Sequence, residues 1–242
     1  AILLVQGSIN MLNDFYDFRN GQDQDKWVTD STKGVDHGPA YRTIPYVAGA
    51  MLLGAVGAGL WLAFSTNLWV MAVGIIGIYA GYAYSAGTNS FSSLGLGEFV
   101  AAIFLGPVVT ILAYVVQGHS INLAIAAISL PFALLIASMV LTNNIRDIEK
   151  DRAFRTTLAI HLGRSYAVRL LATLLILPYF VVILLTIYRI VPGTALFVFL
   201  AMPVAFRLLW SFRRDATRTD EMKGMKWAAR HHWAFGLLFC DT

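Results

Sequence analysis

The sequence predicts an all-α, polytopic membrane helical bundle of about eight spans. Three observations carry this. Charged residues make up only 13% of the 242 residues, against 57% hydrophobic, whereas soluble domains carry about a quarter charged. The mean hydropathy is +0.64, and apolar runs recur at close to the ~20 residues that a helix needs to cross a bilayer. The connectors between these runs alternate between short uncharged and longer basic segments.

Taken in order, the spans fall at 1–18, 45–64, 68–86, 97–117, 121–142, 166–189, 193–211 and 226–240. The first is cut short at its start and the last at its end, so the chain reads as a piece of a longer protein, trimmed at both ends. Pro107, Pro131, Pro178 and Pro203 lie inside spans, which membrane helices tolerate. Glycines recur in GAVGAGL and GIIGIYAGY, and small residues let membrane helices pack closely. The junctions 65–67, 118–120 and 190–192 are short and uncharged. The longer loops 19–44, 87–96, 143–165 and 212–225 then share one face of the membrane. All of the 18 basic residues except Arg189 lie in or beside those loops. The positive-inside rule makes that face cytoplasmic.

The net charge of +4 is mostly this asymmetry and does not point to nucleic acid. The single cysteine, Cys240, excludes an intrachain disulfide framework and a cysteine-based zinc site. The start has neither a charged leader region nor a small-residue cleavage site, so it is not a signal peptide.

Polar residues gather at two places on the basic side. The first span closes on Asn10, Asn13, Asp14 and Asp17, followed by Asp23 and Asp25. Residues three or four apart share a helix face, so the first four form one polar stripe. The span 121–142 runs into LTNNIRDIEKDR, where Asn143, Asn144, Asp147 and Asp151 repeat that spacing. Ile145 and Ile148 support a helix that continues through this segment. The chain thus reads as one transmembrane domain over 1–242 with two motif-bearing halves, near 1–117 and 118–242.

Clustered carboxylates repel, and desolvating them is costly unless something compensates. Mg²⁺ is the natural compensator, because it takes oxygen ligands from one or two carboxylates plus substrate phosphates. Arg146, Lys150, Arg152 and Arg155 flank the second stripe and suit phosphate oxygens. One such stripe alone is an ordinary solvated helix end. Two matched stripes in a chain with only 14 acidic residues favour a metal–diphosphate site.

At these residues the sequence resembles the UbiA superfamily of intramembrane prenyltransferases. The family's N-D-x-x-D and D-x-x-x-D motifs match Asn13 to Asp17 and Asp147 to Asp151. The stretches LGLGEFVAAIFLGPV and NNIRDIEKDRAFRTTLAIHLG resemble the branch that prenylates 1,4-dihydroxy-2-naphthoate on the menaquinone pathway. The resemblance implies about nine helices around a central cavity, Mg²⁺ as cofactor, and an isoprenyl diphosphate and an aromatic acceptor as substrates. It places Asp14, Asp17, Asp147 and Asp151 at the metal and the reacting diphosphate. Asn10, Asn13, Asn143, Asn144, Arg146, Lys150 and Tyr84 become substrate contacts. It also implies a multi-pass protein of a bacterial cytoplasmic membrane with its site toward the cytoplasm. Two departures stand out. Gly21 occupies the place of a further Asp, with Asp23 as a substitute, and the loop after Tyr84 lacks the basic residue that relatives carry.

The implied mechanism is loss of diphosphate from an allylic carbon, stabilised by metal and basic groups, in a pocket closed to water. Tyr79, Tyr82, Tyr84, Phe104 and Tyr114 are aromatic candidates beside the cation, although plain packing is the commoner role. Loop 19–44 reads as a cap, with Lys33, His37 and Arg42 as phosphate contacts. Glu98 reads as an interfacial charge at a helix start rather than an acceptor contact, and His231, His232 and Trp233 as an interfacial anchor. The alternatives are a different acceptor, such as 4-hydroxybenzoate, and a membrane carrier. A carrier site sits near the midplane, whereas these acids cluster at helix ends.

Overall fold

The computed structural model describes residues 1–19, 41–85 and 90–240, with Asp17, Tyr41 and Ser85 as backbone only. Asp23, Asp25, Lys33 and His37, which the sequence reading singles out, lie outside the described residues. Among those described, every regular element is helical. The chain divides into two compact units, Ala1–Phe91 and Ser92–Thr242.

The first unit holds α1 (Ile2–Arg19), α2 (Ile44–Ser65) and α3 (Trp69–Ser85). Small residues set its packing. Ser8 on α1 is fully buried, and its hydroxyl donates to the Ala48 carbonyl of α2 at 2.9 Å. Gly81 on α3 makes room for α1, since a Cβ there would stand 2.0 Å from the Ile9 side chain. Pro45 sits in the first turn of α2, where its missing N–H costs nothing. The Asn67 side chain accepts from the Trp69 N–H at 3.2 Å and starts α3.

The second unit opens with a span over Gly97–Val115, made of α4 (Gly97–Ile103), a π-helical turn at Phe104–Val108 and α5 (Val109–Val115). Pro107 lies in the π turn, the register change that absorbs a residue without an N–H. Gly106 beside it lets α6 (Leu123–Arg146) approach, because a Cβ there would meet the Ala133 backbone at 2.7 Å. Asn122 caps α6 by accepting from the Ile125 N–H at 3.0 Å. Beyond Arg146 come α7 (Ile148–Asp151), α8 (Leu158–Leu162) and α9 (Arg164–Ile187), the last two separated by Gly163 at φ +72°. A 3₁₀ stretch, Gly193–Ala201, leads into α10 (Met202–Trp210), and α11 (Arg218–Cys240) closes the unit.

The α11 start is a reciprocal capping box. The Asp220 N–H donates to the Thr217 hydroxyl at 3.2 Å, and the Thr217 N–H donates to the Asp220 carboxylate, also at 3.2 Å. The Thr217 N–H and the Arg213 guanidinium hold the Asp220 carboxyl below the usual carboxylate range. One buried cluster, including Leu141, Ile145, Leu171, Leu208 and Phe212, lies under the end of α6. A second gathers Leu135, Tyr179, Val182, Val198 and Phe235 further along the same helices. Large apolar side chains such as Trp61, Phe64, Phe180, Leu200 and Phe206 are exposed, as suits surfaces that face lipid.

Among the described residues, five helices are long and apolar enough to cross a membrane: Ile44–Ser65, Gly97–Val115, Leu123–Arg146, Arg164–Ile187 and Gly193–Trp210. Trp69–Tyr84 is apolar but shorter. The expected spans at 1–18 and 226–240 are helical, yet neither reaches that standard. The polar stripe dilutes α1, and α11 is amphipathic. His231 is a second correction. It is buried, not an interfacial anchor, and its Nε2 lies 2.8 Å from the Tyr179 hydroxyl.

Candidate functional site

The first acidic motif lies on α1 as the spacing predicts. At about 100° per residue, Leu4 and Ser8 share the arc turned to α2, where Leu4 lies against Gly54 and Ser8 bonds Ala48. Ile9, against Gly81, and Tyr16, which pairs with Tyr82, share the arc turned to α3. Asn10, Asn13 and Asp14 follow on the rest of the helix surface, with Asp14 close to the arc of Gly7, where a Cβ would stand 2.5 Å from the Met51 side chain of α2. The Gln6 amide donates to Asn10 Oδ1 at 3.2 Å, and Asn13 and Asp14 are half-buried.

The second motif is not one continuous helix. α6 ends at Arg146, and Asp147 adopts φ −105°, ψ 13° before α7 begins. Backbone bonds still bridge the break, from Asp147 N–H to Asn143 C=O at 3.1 Å and from Asp151 N–H to Asp147 C=O at 2.8 Å. The physical reason lies in the side chains. Asp147 is buried and pinned by two guanidiniums, which fix it at the junction.

Arg146 makes a two-point contact with Asp147, its Nε donating to Oδ1 at 2.9 Å and its Nη2 to Oδ2. The same Nη2 donates to Asn143 Oδ1 at 2.6 Å. Arg218, 71 residues away on α11, donates from Nη2 to Asp147 Oδ1 at 3.2 Å and from Nη1 to the Arg146 carbonyl. Glu221 lies 3.4 Å from Arg218 and also pairs with Arg164. Asp151 is 1% exposed and pairs with Arg155 at 2.9 Å. Burial pushes the Asp151 carboxyl above the usual carboxylate range; Arg155 opposes that rise and Asp147 adds to it.

Asn144 does not join this group. It is buried and donates from Nδ2 to Glu98 Oε1 at 2.8 Å. Glu98 is therefore no interfacial charge. It is 5% exposed in the first turn of α4, and its Oε2 is buried with no hydrogen-bond partner. Lys150 is exposed and Tyr84 half-buried. Of the aromatic candidates, Tyr79 and Tyr82 are exposed, and Tyr114 stacks on His119 with ring centroids 4.5 Å apart.

Sequence reading missed Glu98, Arg164, Arg218 and Glu221 as neighbours of the motif. Glu98 had one signal, an acid inside an otherwise apolar span. The others had none, because a contact across 71 residues leaves no local spacing. Among the described residues, no group of three or more His, Cys, Asp or Glu is close enough to hold a metal ion. Asp147 and Asp151 carry hard carboxylate oxygens, which could hold Mg²⁺ only together with further ligands such as substrate phosphates.

Fold and motif together define a multi-pass, all-helical membrane protein with a carboxylate–arginine site at a helix end. The UbiA prenyltransferase family matches residues 1–233. The chain is 32% identical over 239 residues to the 1,4-dihydroxy-2-naphthoate octaprenyltransferase of Bacillus subtilis, covering 98% of this chain and 77% of that one. It is 31% identical over 221 residues to human UbiA prenyltransferase domain-containing protein 1, covering 89% and 64% respectively. A Mycobacterium tuberculosis 1,4-dihydroxy-2-naphthoate octaprenyltransferase is 32% identical over 164 residues, 67% of this chain and 56% of that one. The chain thus spans less than two thirds of the human and mycobacterial relatives. No solved structure matches it. The chain belongs to the UbiA prenyltransferase family, and it is a prenyltransferase of the membrane rather than a carrier.

Proposed function

We propose that this chain catalyses Mg²⁺-dependent transfer of a long isoprenyl group from a prenyl diphosphate to 1,4-dihydroxy-2-naphthoate, in the bacterial cytoplasmic membrane with its site toward the cytoplasm. One observation carries the reading. Buried Asp147 and Asp151 stand among Arg146, Arg155 and Arg218, in a chain 32% identical over 98% of its length to a naphthoate octaprenyltransferase.

In this reading Asp14 and Asp17 on α1, with Asp147 and Asp151 at the end of α6, hold the metal. Bound there, the cation supplies charge stabilisation to the departing diphosphate. The guanidiniums of Arg146 and Arg155, with Lys150, hydrogen-bond its remaining oxygens. Asn10, Asn13, Asn143 and Tyr84 orient the substrates, while Asn144 is committed to Glu98. Apolar helix faces exclude water, which would otherwise capture the allylic centre. The eight spans form one domain of two motif-bearing halves.

The test uses the full chain in membrane vesicles with Mg²⁺ and labelled polyprenyl diphosphates. Prenylated product from dihydroxynaphthoate but not from 4-hydroxybenzoate supports the reading. Product from 4-hydroxybenzoate alone moves the acceptor, and no product from either overturns the proposal.

A further inference from the structure

We propose that Arg218 is an exchangeable counter-ion, holding Asp147 in the ligand-free protein and passing to the substrate diphosphate when a divalent cation takes its place on that carboxylate. The inference rests on the prenyl-transfer reading above and assigns a role there to a residue outside both acidic motifs.

The geometry makes Arg218 the surplus partner. Asp147 already has both oxygens engaged by Arg146. Arg218 adds a second guanidinium to the same carboxylate. Across the cluster, the four guanidiniums of Arg146, Arg155, Arg164 and Arg218 face the three carboxylates of Asp147, Asp151 and Glu221. Phosphate oxygens accept a guanidinium fork as well as a carboxylate does.

Burial says which arginine is free to move. The Arg218 side chain is 56% exposed, against 19% for Arg146, 12% for Arg155 and 37% for Arg164. It leaves Asp147 without unpacking the core. Its backbone stays in place, because the Thr217–Asp220 box fixes the helix start on either side of it. Glu221 at 3.4 Å keeps the released guanidinium near the site. Arg218 thereby offsets the repulsion of buried carboxylates while the site lacks a cation, then supplies a positive charge when phosphate arrives.

The exchange predicts opposite signs for two binding reactions, which loss of a merely structural arginine does not produce. The full chain and its R218Q variant are titrated in detergent with Mn²⁺ alone, followed by electron paramagnetic resonance. They are titrated again with inorganic pyrophosphate at saturating Mg²⁺, followed by calorimetry. R218Q should bind Mn²⁺ about three- to tenfold more tightly, because a competitor for Asp147 is gone, and pyrophosphate about three- to tenfold more weakly. R218K should recover part of the pyrophosphate affinity, since it keeps the charge and loses the fork. If both affinities fall together, or neither moves, the exchange is wrong while the prenyl-transfer reading stands. If the unmodified chain binds neither ion, the metal–diphosphate site itself fails and the exchange fails with it.

Discussion

Asp147 shows how much one side chain organises. It ends α6, accepts from Arg146 and Arg218 and starts the turn that carries Asp151. Asp147→Asn should lower prenyl transfer by about 10²–10³-fold, measured as initial rate at saturating substrates, and should also lower the melting temperature, because it leaves Arg146 without its buried carboxylate. Asp151 has a testable pH signature in metal-free protein. Burial raises its folded value, so the folded state holds the proton more tightly than the unfolded chain. The stability it contributes is complete below the unfolded value of about 3.9 and is lost as pH rises through the raised folded value. Melting temperature against pH in the presence of a chelator should therefore fall across that window, and the Asp151→Asn variant should lack this component. Glu98 is a third residue-scale case. Glu98→Ala strips Asn144 of its buried acceptor and should cost about 1–3 kcal/mol by chemical denaturation, whereas Glu98→Gln retains an acceptor oxygen and should cost less.

Close approach governs the helices. Gly106 lies within 2.7 Å, as a Cβ would see it, of the Ala133 backbone on α6. Backbone cannot swing aside as a side chain can. Gly106→Ala should therefore destabilise the second unit by about 1–3 kcal/mol, read as a lower melting temperature in detergent. The apolar runs were legible at this scale, since the spans expected at 45–64 and 121–142 fall on α2 and α6. The break at Asp147 was not legible, because LTNNIRDIEKDR has no glycine or proline to announce it. It comes from charged contacts, one of them reaching across 71 residues.

For the whole molecule, the uneven spread of basic residues is the feature with a direct test. With Cys240 replaced by Ser, a cysteine at Lys150 should react with an impermeant maleimide only after the cell membrane is opened, and one at His119 should react in intact cells. Labelling of both from the same side would reject the proposed orientation. Among the described residues, five helices meet the requirements of a span outright. The rest of the expected eight depends on α1, α3 and α11, which carry polar stripes or fall short in length.

The sequence by itself determined the class of protein, five of the expected spans and the placing of the two acidic motifs on helices, since these depend on hydropathy and on the spacing of near neighbours. It also carried the resemblance to the UbiA family that comparison bears out. Only the tertiary structure decided that Asn144 turns to Glu98, that His231 is buried beside Tyr179, and that Arg218 reaches Asp147. Each of those pairs joins residues at least 46 positions apart. What a buried polar group pairs with is fixed by which helices pack together, and local spacing does not record that.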